Sequence, residues 1–234
     1  MPSMRTLMQV VTLTLCTANL GHAALHTCEG TQISVLAQHD SDATLACEAA
    51  RRAIAFFADQ GFHADIAATI LVEEEPSSPT DWSLLGSFDA RRGEIRVLSL
   101  HKAMESAPRE PPFGEPMHAQ LHASFIAHEL RHALAKANFT IARPSVLAHE
   151  YVAYTVRLAT MPDTLRQDIL SRYQLEGFQH EREIGETYYL VNPHAFAVKA
   201  YPHFRRPENG SAFLSRVFNG LLSPTQRPLQ QQPN

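Results

Sequence analysis

The segment from Leu121 to Ala137 constrains this chain more than any other. Drawn on a helical wheel, it places Leu121, Phe125 and Ala135 on one side and Ile126, Leu130, Ala133 and Ala137 on the other. A helix that is apolar on two sides cannot lie on a surface. It must be packed between layers of protein, and the rest of the chain has to supply both layers. Polar groups carried into such a position need partners, because an unpaired buried donor or acceptor is costly.

The same segment carries His128-Glu129-Leu130-Arg131-His132, the pattern H-E-x-x-H. At about 100° per residue, two histidines four apart lie roughly 40° apart on one face and about 6 Å apart along the axis, so both imidazoles reach one metal ion. Glu129 is rotated about 100° from His128, where it is poorly placed as a ligand but can hydrogen-bond a water at the metal. In a chain of this composition the pattern arises by chance roughly once in 20 sequences, so its context decides its meaning. The context is the doubly apolar helix, where ring nitrogens need a partner and a metal is one.

A third ligand follows from the geometry of the next helix. Asn138 and Pro144 read as stop and restart signals, and a second helical pattern runs from Ser145 to about Thr160. Antiparallel packing of the two helices would bring His132 and Glu150 level, each about 9 Å from the connection. Glu150 also falls on the apolar stripe with Val146, Leu147, Ala153 and Tyr154, where a carboxylate without a partner is disfavoured. Glu150 is the preferred third ligand; His149, His118 and His122 are alternatives. An ion pair of Glu150 with Arg131 or Arg157 is the plain structural reading.

His128-Glu129-Leu130-Arg131-His132, followed by Glu150 in His149-Glu150-Tyr151-Val152-Ala153-Tyr154, resembles the gluzincin arrangement of zinc metallopeptidases. The resemblance covers about 35 residues, Leu121 to Tyr154. It implies Zn²⁺ held by His128, His132 and Glu150, and Glu129 as general base. A zincin-like α+β fold goes with it: a small N-terminal sheet with a backing helix, the active-site helix, and a mostly helical C-terminal part. It further implies a tyrosine or histidine that steadies the transition state from that C-terminal part, with Tyr188, Tyr189, His194 and His203 as candidates and Tyr188 and His194 taken first. The metzincin pattern is excluded, since it needs glycine and histidine where this chain has Ala135 and Asn138. One departure stands out. Many gluzincins have an acidic residue four positions after the ligand glutamate, bonded to the first histidine, and here that position is Tyr154.

The N-terminus reads as a secretory signal over residues 1–23: Met4-Arg5, an apolar core from Leu7 to Leu15, then Gly21-His22-Ala23 before Ala24. The apolar run is too short for a membrane anchor. A periplasmic or secreted location follows, and there Cys28 and Cys47 most simply form a disulfide, worth about 3 kcal/mol in the chain-entropy model. They lack the close spacing of a structural zinc site.

Residues 24–222 are expected to form one domain, for which a 44% hydrophobic composition suffices. The tail 223–234, rich in proline and glutamine, reads as disordered. The formal charge is −4, and its basic residues are scattered as pairs such as Arg51-Arg52 and Arg205-Arg206, which gives no support for nucleic-acid binding. Strands are predicted at Thr31–Ala37 and Ala68–Glu75, a helix at Ala43–Gln60, and a hairpin from Leu84–Asp89 to Glu94–Leu100. The second hairpin strand is expected at the sheet edge, where it could take an extended peptide by strand addition. Pro108–Pro116 reads as a connector rather than a rim over the cleft.

The sequence therefore points to a zinc-dependent exported hydrolase acting on a peptide or protein substrate. A zincin-like protein that only binds, or only holds a metal, and an envelope amide or ester hydrolase are the competing classes. Oligomeric state is not legible.

Overall fold

The computed structural model describes residues 22–75, 85–106 and 111–223. The expected signal segment and C-terminal tail lie outside these residues except at their inner margins. Over the described residues the chain is α+β, with eight helices and a mixed five-stranded sheet.

The sheet comprises β1 (Ala24–Thr27), β2 (Gln32–Ala37), β3 (Ala67–Glu73), β4 (Gly86–Asp89) and β5 (Glu94–Leu98), in the spatial order β1-β2-β3-β5-β4. The three central strands are parallel, and the outer strands β1 and β4 pair antiparallel to their neighbours. Strict alternation sets the register. Ile33 pairs with Ala68 and Val35 with Ile70; Ile70 then pairs with Ile95 and Val72 with Val97. All of these are buried. The other face carries Glu73, Glu94 and Arg96, joined by ion pairs. A slip of one residue would exchange the two faces, so this pattern fixes the pairing.

Helix α1 (Asp40–Asp59) crosses from β2 to β3 and buries Ala43, Ala46, Ala49, Ala50, Ala53 and Phe57. Its alanine face lets it lie close to the sheet and to the next layer. At its end the Phe62 amide donates to Phe57 O, and Gly61, at φ +77°, supplies the left-handed residue that this reversal requires. The disulfide between Cys28 and Cys47 ties the β1–β2 turn to this helix, as the cysteine count predicts.

After β5, the short helix α2 (Leu100–Glu105) leads toward α3 (Ala119–Asn138), which packs against α1, α4 (Val146–Ala159) and strand β4. This is the doubly covered helix the sequence requires: Leu121, Ile126, Ala127, Leu130, Leu134 and Ala135 are all buried. Asn138 ends it, donating to both Leu134 O and His63 O. Ser145 starts α4 by accepting the Ala148 amide. The remainder is helical: α5 (Asp163–Tyr173), α6 (Glu186–Val191), α7 (Pro193–Phe204) and α8 (Gly210–Phe218). No helix among the described residues is long and apolar enough to cross a membrane.

One expectation is corrected here. Strand β5 is not at the edge, because β3 and β4 flank it; among the described residues the edge strand is β4. Of the proline-rich connector, residues 108–110 lie outside the described residues, and the remainder carries a buried anchor. Phe113, at φ +58°, is fully buried, and its carbonyl accepts from Arg172 Nη1 at 2.8 Å. A non-glycine residue in that backbone region is held there by its surroundings.

Candidate metal centre

The αα-hairpin brings His128, His132 and Glu150 together. One ligand atom from each lies within 4.8 Å of the other two. His128 Nε2 is 3.6 Å from Glu150 Oε2, and His132 Nε2 is 3.6 Å from Glu150 Oε1. Ligands about 2.0–2.1 Å from a tetrahedral ion stand roughly 3.4 Å apart, close to the two histidine–glutamate separations. His128 and Glu150 are buried and His132 is half-buried. His149 has its ring against Phe139, His122 is turned to Leu98 O at 2.9 Å, and His118 sits at the start of α3; none of these belongs to the group.

Neighbouring rings orient the histidines. Phe88 of β4 stacks on His132, with the planes 5° apart and the centroids 6.4 Å apart. Tyr154 meets His128 edge-on at 4.9 Å. As the residue at position 154 foretells, no carboxylate holds the far nitrogen of His128: Nδ1 is buried and has no hydrogen-bond partner. Burial, reinforced by the positive charges of Arg131 and Arg157, keeps the pKa of His128 well below its usual value, and burial does the same to His132. Both rings are therefore neutral at neutral pH, the form that ligates a metal. Burial raises Glu150.

Glu129 lies beside this group and lines the same cleft, an opening of about 260 Å³ bounded by Gly86 and Ser87 of β4. Burial pushes its carboxyl up to about 7, against the opposing pull of Arg131. A carboxyl at that level can take and return a proton near neutrality. The edge strand passes so close to Glu129 that only glycine fits at position 86 without displacing a neighbour.

One contact opposes a metal. Arg131 is completely buried, its Nε and Nη1 have no partners, and its Nη2 donates to His132 Nε2 at 2.9 Å. A cation at His132 would compete with the guanidinium for the same lone pair. The charge of Arg131 also offsets Glu129 and Glu150, which raise its pKa against the lowering by burial.

Of the four candidate donors, Tyr189 lines the cleft. Tyr188 instead packs on Phe178 and Phe196. His194 packs on Phe113 and is not among the residues that line the cleft. His203 is bonded through Nδ1 to the Tyr151 hydroxyl, on another side of α7. Sequence reasoning did not single out Gly86, and it named Arg131 and Arg157 only as ion-pair partners of Glu150, whereas the carboxylate faces His128 and His132. Arg157 had a readable signal: it is a basic residue seven positions after Glu150, on a helix otherwise apolar on that face.

Residues 33–227 match the model of one protein family, more than four fifths of the chain. The chain belongs to DUF6639, a family of unknown function. The match takes in every residue of the DUF6639 cleft described above. No curated protein and no solved structure matches this DUF6639 chain.

Proposed function

We propose that this protein is an exported, zinc-dependent peptidase of gluzincin-like design, with His128, His132 and Glu150 as the metal ligands. The observation that carries this reading is the convergence of two neutral imidazoles and a carboxylate beside a separate buried carboxyl, Glu129, in one cleft. Two histidines and a glutamate form a donor set used by catalytic zinc, and imidazole favours zinc over the hard divalent cations. The disulfide is compatible with an oxidising, extracytoplasmic location.

Zinc bound there supplies Lewis-acid polarisation of a carbonyl and makes water more acidic. Glu129 takes a proton from the attacking water and passes it to the leaving amine, which its raised pKa suits. Tyr189, pushed up to about 12 chiefly by burial, stays protonated at neutral pH and can donate to the oxygen on which charge develops. Strand β4, at the sheet edge beside the cleft, offers backbone groups to an extended peptide.

A second reading rests on Arg131. Its bond to His132 Nε2 supports a zincin-like binding module in which the guanidinium takes the place of the cation. Elemental analysis of the exported protein separates the two. The peptidase reading expects one zinc per chain, lost in His132→Ala and kept in Glu129→Gln, and hydrolysis of a peptide library by wild type that Glu129→Gln abolishes. Absence of zinc after zinc has been supplied would refute the peptidase reading and leave the module.

A further inference from the structure

The cleft contains a second buried cation that the proton and metal chemistry does not use. Arg157 lies two turns beyond Glu150 on α4 and lines the same cleft, yet it is only 2% exposed. Its Nε donates to the neutral hydroxyl of Ser124 at 3.3 Å, and its Nη2 has no hydrogen-bond partner. Two phenyl rings hold the guanidinium in place, Phe125 at 3.6 Å and Phe113 at 4.6 Å from its central carbon. Phe113 is the buried residue of the proline-rich segment, anchored through its carbonyl to Arg172. A pinned, buried guanidinium with an unpaired N–H group is preorganised for an anion, and its planar fork matches a carboxylate.

We infer that Arg157 is a specificity residue that binds a carboxylate of the substrate beside the scissile bond. Arg131 does not compete for this role, since its Nη2 is engaged by His132 and it is absent from the cleft wall. The carboxylate could be the free C-terminus of a peptide or an acidic side chain within it. Both present the same two oxygens. The cleft is small, about 260 Å³, so the group that meets Arg157 must lie within a residue or so of the bond placed over Glu129. The inference rests on the peptidase reading for the kind of molecule bound, but not for the binding of the carboxylate itself.

The test is calorimetric binding to the full-length exported protein carrying Glu129→Gln, so that peptides persist, with zinc content measured on each sample. Three probes are compared: N-acetyl-trialanine with a free carboxyl terminus, its C-terminal amide, and an amidated N-acetyl tetrapeptide with one internal aspartate. Charge-assisted bonds to a buried guanidinium are expected to make one of the two acidic probes bind roughly 10- to 100-fold tighter than the neutral amide. Which acidic probe gains identifies the source of the carboxylate. Arg157→Gln should reduce the gain to about twofold or less, and Arg157→Lys, which keeps the charge without the fork, should retain part of it.

Binding of both acidic probes no tighter than the neutral amide, no binding of any probe, or a preference that survives Arg157→Gln would overturn the assignment. The acid-to-amide contrast is read with Arg157 intact, so a variant that fails to fold leaves the test standing. A carboxylate preference lost in Arg157→Gln, in protein that holds no zinc and cleaves nothing, would sustain the role of Arg157 while the peptidase reading fell.

Discussion

A Cβ placed on Gly86 would lie 2.8 Å from Glu129 Cγ. The same atom would meet Arg96 O and Val97 Cγ1 at 3.1 Å, so the edge strand cannot simply move aside. Gly86→Ala is expected to destabilise the protein by about 2 kcal/mol through overpacking, a fall in Tm of roughly 4–8 °C for a domain of this size. It should also turn Glu129 away from the cleft. Thermal unfolding checks the first effect. The second requires that zinc binding survive in Gly86→Ala while peptide hydrolysis falls, since the side chain nearest the added Cβ is Glu129 and not one of the proposed ligands. A Tm equal to that of wild type would mean that β4 lies farther from α3 than described.

Because His128, His132 and Glu150 converge only in the folded chain, a cation they hold stabilises the native state. At a free zinc concentration 100 times the dissociation constant the gain is about 2.7 kcal/mol, or roughly 5–10 °C in Tm. A chelator should reverse it, and His132→Ala or Glu150→Ala should show no shift. Arg131 adds a sign. Its guanidinium competes for His132 Nε2 and repels the ion, so Arg131→Met is expected to bind zinc more tightly than wild type if it folds. Weaker binding in a folded Arg131→Met would show instead that Arg131 helps to assemble the ligands.

The elements up to Thr160 were largely legible in the sequence, for physical reasons that can be named. Period-two burial in β2 and β3, the Asn138 and Pro144 breakers, and the equal offsets of His132 and Glu150 from the connection are all local signals. The third member of the group, Glu150, could therefore be placed by geometry before any contact was known. What was not legible depends on contacts distant in sequence. Strand β5 reads as well as β4 for an edge until its pairing with β3 is seen. Tyr188 and Tyr189 are neighbours in one short helix and both pack on Phe196, but Tyr188 turns to Phe178 while Tyr189 lines the cleft. Phe113 looks like part of a linker until Arg172 and Arg157 are placed around it.

The bond between Cys28 and Cys47 anchors β1 and the β1–β2 turn to α1, while the other strands are fixed by the sheet and by α3. Replacing both cysteines by alanine is expected to lower stability by about 3 kcal/mol, roughly 6–12 °C in Tm, with zinc binding unchanged in the protein that remains folded. Denaturant unfolding of the double variant beside wild type measures this. Loss of zinc binding at a temperature where the variant is still folded would instead couple the disulfide to the metal centre.

His203 offers a pH dependence independent of the metal. It is buried on α7, its Nδ1 accepts from the Tyr151 hydroxyl at 2.6 Å, and burial, helped by Arg206, lowers its pKa to about 4. In the unfolded chain a histidine titrates near 6.5. Above that pH the ring is neutral in both states and adds no pH dependence. Below it, the unfolded chain takes up a proton that the folded chain refuses, so stability falls as pH falls, by up to about 1.4 kcal/mol per pH unit, until the folded ring itself protonates near pH 4. Glutamine can accept the same hydroxyl bond but does not titrate. The stability advantage of wild type over His203→Gln, measured by urea unfolding with chelator present, should therefore shrink steadily between pH 6.5 and 4. A constant difference across that window would mean that His203 takes up its proton as readily in the folded protein as in the unfolded chain, and hence that the Tyr151 bond and the surrounding rings do not hold it neutral.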